Sequence, residues 1–127
     1  MKILSKYFDF VNESKLPQQV DKDIFLKKEK EFKREKFTTR EIFELNKINF
    51  EEKYLIPLQK IEEGYISDSI LFDTQCGLFY IIIIKLEDEW YLIEERPRKV
   101  MLDTKYFICD GFNHLIDYIN NINEKFK

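Results

Sequence analysis

The run Leu78-Phe79-Tyr80-Ile81-Ile82-Ile83-Ile84-Lys85-Leu86 constrains this chain more than any other stretch. It is apolar at every position but Lys85 and rich in β-branched isoleucine, which suits a strand. A strand with no polar face belongs in the centre of a sheet covered on both sides. Around it the β signal continues. Tyr65 to Phe72 alternates, with Ile66, Ile70 and Phe72 on one face and Asp68 interrupting it. Gln75-Cys76-Gly77 turns the chain, Glu87-Asp88-Glu89 forms a tight turn, and Trp90 to Glu95 returns as the partner strand until Pro97. Lys99–Leu102 and Lys105–Cys109 are one or two further strands, broken near Asp103. The reading is an antiparallel meander of three to five strands.

Helical patterns flank the meander. After a segment from Lys2 to Val11 that is extended or a short helix, Pro17 lies in a polar connection. Asp21 to Phe37 reads as a helix with acid-first pairs Asp23–Lys27 and Glu29–Lys33. Its stripe of Ile24, Phe25 and Phe32 is thin, so it should lie on the domain surface. Thr38-Thr39-Arg40-Glu41 has the form of a capping box, in which hydroxyl and carboxylate each satisfy a free amide. Phe50 to Ile61 is open between helix and strand, because Pro57 forbids a continuous helix. At the far end Phe112, Leu115, Ile116, Ile119, Ile122 and Phe126 form one helical stripe, with Asp110 placed to cap it. The expected fold class is therefore α+β: N-terminal helices, the meander, and a C-terminal helix packed on the sheet. With 127 residues the chain is read as one domain, 1–127.

The search for chemistry mostly excludes. Three glycines, Gly64, Gly77 and Gly111, stand too far apart for a phosphate loop. One histidine and two distant cysteines make no metal site and no disulfide framework. Cys109 and His114 read as a buried thiol and an exposed histidine rather than a nucleophilic pair. Glu51-Glu52-Lys53 contains the Glu-x-Lys of metal-dependent nucleases, but no apolar strand leads into it. The basic residues Lys27, Lys28, Lys30, Lys33, Arg34 and Lys36 are interleaved with acids, which is the pattern of a solvated helix face. No catalytic residue, metal or cofactor is expected. The longest apolar run is far below the roughly 20 residues a spanning helix needs, and Met1 to Val11 has no secretory pattern. A cytoplasmic protein with reduced thiols is expected, bound to no membrane and no nucleic acid.

Charge is the one polarised property. The net charge is −3, yet residues 61–95 hold nine acids against the single base Lys85. Such a half suits a basic protein partner. The candidate contacts are Asp68, Asp73, Glu87, Asp88, Glu89, Glu94 and Glu95. Trp90 and Tyr91 are candidate anchors, since aromatic residues dominate interface hot spots.

The ending Lys105-Tyr106-Phe107-Ile108-Cys109-Asp110-Gly111-Phe112-Asn113-His114-Leu115-Ile116-Asp117-Tyr118-Ile119 resembles the last strand and helix of the SUKH superfamily. Many of those proteins are bacterial immunity proteins that neutralise polymorphic or contact-dependent growth inhibition toxins. The resemblance implies a non-catalytic inhibitor that binds a cognate basic, nuclease-type toxin and occludes its active site. Two alternatives stand beside it. Glu87-Asp88-Glu89-Trp90-Tyr91-Leu92-Ile93 is similar to the charged turn and Trp-led strand of the nuclear transport factor 2-like folds, which bind ligands or catalyse reactions. The third is an accessory protein of a phage or mobile element.

Overall fold

The computed structural model describes residues 16–58 and 67–125. The expectations at Lys2–Val11, at Gly64–Ile66 and at Phe126 lie outside these residues. In chain order the elements are β1 (Gln19–Val20), α1 (Lys22–Glu31), α2 (Thr39–Asn46), β2 (Leu55–Pro57), β3 (Ser69–Thr74), β4 (Phe79–Lys85), β5 (Trp90–Pro97), β6 (Lys105–Asp110) and α3 (Phe112–Lys125). The six strands form one sheet in the order β1-β6-β5-β4-β3-β2, with every pair antiparallel. The α+β class and the meander are as the sequence implies, with more strands than the three to five expected. The additions are the two edge strands, of two and three residues, too short to leave a periodic signal.

Strand alternation divides the core into two layers. On one face, Ile81 and Ile83 of β4, Tyr91 and Ile93 of β5 and Cys109 of β6 meet Ile42 and Leu45 of α2 and Leu115, Ile119 and Ile122 of α3. On the other, Ile84, Leu86 and Leu92 pack with Phe25 of α1. The apolar run is thus sandwiched as its composition requires. Phe25 is the only fully buried residue of α1, so the thin stripe makes a surface helix held by one side chain. That helix is shorter than the pattern suggests. It ends at Glu31, because Phe32 turns extended with φ −126° and ψ 139°, and Arg34 then forms an isolated bridge with Leu86.

Three further expectations are corrected. Lys99–Leu102 is not a strand but a turn, closed by the Leu102 amide on the Lys99 carbonyl at 3.2 Å. Phe50–Ile61 contains the edge strand β2, with Pro57 at its last position where no ladder amide is lost. His114 is half-buried rather than exposed. Its Nδ1 accepts from the Asp110 amide at 3.0 Å, across the junction where Gly111 takes φ +104°. Among the described residues, no helix is long and apolar enough to cross a membrane.

Candidate interaction surface

The nine candidate contacts do not form one surface. Strand geometry separates some of them at once, because neighbouring residues face opposite sides. Glu95 lies under α3, where its Oε1 accepts from the Tyr118 hydroxyl at 2.6 Å. Glu94 faces the other way and is bound by Arg96 Nε at 2.7 Å. Asp73 shares that outer face at the same end and is held by Arg98 at 2.7 Å. The Arg98 guanidinium keeps the Asp73 carboxyl below its ordinary range. Asp68 sits at the opposite end of the sheet, 3.9 Å from Arg34.

The two anchors also part. Tyr91 is buried in the core and is out of reach of a partner. Trp90 is half-buried on the α1 side, with Lys28 Nζ 3.7 Å above its ring and Phe32 at 6.1 Å between ring centroids. The basic segment after α1 therefore runs beside the acidic turn. The Lys33 carbonyl accepts the Glu87 amide at 2.9 Å.

What remains together is the β4–β5 turn. Glu87, Asp88 and Glu89 are all exposed, and among the described residues none of them makes an ion pair. Asp110 lies next to them, since it pairs across the strands with Trp90 and the Gly111 amide binds the Glu89 carbonyl at 2.8 Å. The turn carries two consecutive non-glycine residues in the left-handed region, Asp88 at φ 60° and Glu89 at φ 62°. Glutamate gains nothing there. A left-handed conformation costs an ordinary residue roughly 1–2 kcal/mol, and hairpin turns of this hand favour Asn-Gly.

Two other polar clusters were not anticipated. Glu41 closes the capping box of α2, with the Thr38 amide on its Oε1 at 2.7 Å. The same carboxylate, nearly buried, receives Lys85 Nζ at 2.5 Å and the Tyr91 hydroxyl. The one charge in the apolar run thus has its counter-ion inside the core. The lone lysine was the signal: a buried ammonium requires an acceptor, although the letters do not say which. The second cluster surrounds Cys76, which is exposed. Its Sγ lies 2.7 Å from the Tyr54 hydroxyl and 3.6 Å from Thr74 Oγ1. These contacts lower the thiol pKa, the Tyr54 hydroxyl most and the Leu78 amide next. Burial pushes the Tyr54 phenol up to about 12, so it stays a donor.

Neither cluster holds the pieces of a catalytic site. The Glu41 group is nearly buried and its charges are satisfied by its own members and by Glu35, 3.8 Å from Lys85 Nζ. The thiol has no histidine beside it, because His114 belongs to the β6–α3 junction at the other end of the sheet. Among the described residues, no three metal-ligating side chains converge. Comparison of the chain with protein-family models, with characterised proteins and with solved structures finds no match.

Proposed function

We propose that this protein is a non-catalytic inhibitor of the bacterial immunity class, acting in the cytoplasm by covering the active site of a basic, nuclease-type toxin. The contact centres on Glu87, Asp88 and Glu89, with Asp110 beside them. One observation carries the reading. Three exposed carboxylates, free of ion pairs among the described residues, are kept on a turn whose backbone would be more stable with other residues. Asp73 and Glu94 are neutralised in place, and Asp68 lies within range of Arg34. Among the described acids of the window, the exposed ones without an ion-pair partner are the three of the turn. Exposed charges of this kind act chiefly on association rate and specificity.

Asp88→Asn combined with Glu89→Gly separates stability from binding. The variant has the favoured turn residues and two fewer charges. Its melting temperature is expected to rise, in line with about 1 kcal/mol of relieved strain. Association with the cognate toxin domain should slow, and its dependence on salt should flatten. Stopped-flow mixing across a salt series measures both. A more stable variant that associates at the original rate, with the original salt slope, refutes the assignment.

A further inference from the structure

We propose that Trp90 and Phe32 form a cradle for an arginine side chain of the partner, beside the acidic turn. That the arginine belongs to a basic toxin rests on the inhibitor reading, whereas the chemistry of the cradle does not. The two rings stand 6.1 Å apart between centroids, tilted by 47°. Both present a face to one ammonium. Lys28 Nζ lies 3.7 Å from the Trp90 centroid and 5.2 Å from that of Phe32. A cation over a ring face is attracted by the ring's quadrupole, so the pair already holds the kind of group it takes from outside.

The walls are fixed and the occupant is not. The Trp90 carbonyl accepts the Leu86 amide at 2.8 Å. Phe32 is set from both sides: its amide donates to the Lys28 carbonyl at 3.2 Å, and the next carbonyl, of Lys33, accepts the Glu87 amide at 2.9 Å. The Lys28 ammonium has only the rings; among the described residues it makes no hydrogen bond and no ion pair. Asp110 lies directly opposite Trp90 across β5 and β6, so its carboxylate shares the indole's face of the sheet. It is exposed and, like the three acids of the turn, has no ion pair among the described residues. The chain's own cations leave these carboxylates unmatched. Lys28 is engaged by the rings, and Lys33 makes no ion pair among the described residues although its carbonyl holds Glu87. An ammonium is a point charge. A guanidinium is planar, so it can stack on the indole and direct its N–H fork at a carboxylate together. An incoming arginine therefore gains what Lys28 does not, while an incoming lysine only replaces like with like.

Trp90 is the sole tryptophan, so its emission reports on the cradle. The full chain is titrated with triarginine and with trilysine at one ionic strength. Triarginine should change the emission saturably and bind about tenfold more tightly than trilysine. Lys28→Met removes the resident cation and should tighten triarginine about threefold. Lys27→Met removes an exposed neighbour of the same charge and should leave that affinity nearly unchanged. Asp110→Asn should weaken triarginine about fivefold at an unchanged melting temperature. No saturable change in emission overturns the proposal. So does equal binding of the two peptides, or equal tightening by Lys28→Met and Lys27→Met, since each denotes general charge attraction. Triarginine bound as expected, with toxin association indifferent to salt and to the turn variant, removes the inhibitor reading alone. Salt-steered toxin association without preference for triarginine removes the cradle alone.

Discussion

The two cysteines show how far environment separates identical side chains. Cys76 stands exposed in the β3–β4 turn among donors that favour its thiolate. Cys109 is buried in β6, and burial, then the charge of Asp117, pushes its thiol up to about 12. Since the thiolate is the reactive form, iodoacetamide should modify one thiol in the native protein and two after denaturation. Tyr54→Phe removes the strongest donor, so alkylation of Cys76 should slow at neutral pH and its pH profile should move upward. An unchanged profile would deny the tyrosine this role. Nothing in the sequence announces the pair, because Tyr54 precedes Cys76 by 22 residues. They meet only because Leu55 pairs with Thr74 across β2 and β3.

At the scale of elements, α2 is fastened by the same carboxylate that begins it. Its capping box is legible in Thr38 and Glu41 and forms as written. The second duty of Glu41, receiving Lys85 and Tyr91, is legible only as a requirement posed by Lys85. Breaking such a buried pair by removing one partner leaves an uncompensated group, at a cost of about 3–5 kcal/mol. Lys85→Met should destabilise by that order in urea unfolding, and Glu41→Gln by less, since Lys85 keeps Glu35 at 3.8 Å. The double variant should cost clearly less than the sum, because neither charge is then stranded. Additive losses would show that the three groups do not act as a unit. α3 was readable from its stripe of Leu115, Ile119 and Ile122. The early end of α1 was not, since Phe32 to Lys36 keep a helical composition and leave the helix to reach β4.

For the whole molecule, the layer arrangement followed from one apolar run, whereas the surface did not. That Glu94 and Glu95 diverge is inherent in any strand. That Arg96 covers Glu94 is inherent too, since residues two apart on a strand share a face, whereas Arg98 covers Asp73 through pairing that the letters do not display. The core has a pH consequence of its own. Cys109 and Tyr118 both have pKa values raised above their ordinary 9.0 and 10.0, chiefly by burial. For each, the stabilisation is complete below the ordinary value and is lost as pH climbs towards the folded one. The fold should therefore weaken from about pH 9 upward, while neutral pH leaves these groups silent. In a Cys76→Ser background, which removes the opposing thiol, Cys109→Ala should flatten the fall of melting temperature above pH 9. An equal fall in both proteins would rule out Cys109 as a source.

The position of β1 also governs the order of assembly. Strands β2 to β6 each pair with a neighbour in sequence, so they can join hairpin by hairpin as the ribosome releases them. Among the described residues β1 has no partner but β6, the last of the described strands, and Phe25 of α1 rests on Tyr106 of that strand, 4.9 Å between ring centroids. During synthesis β1 and α1 must wait, the side that meets β6 uncovered, until β6 has emerged. Contacts so distant in sequence close last and most slowly. That interval is when a nascent chain of this topology is most exposed to chaperones and to its own copies.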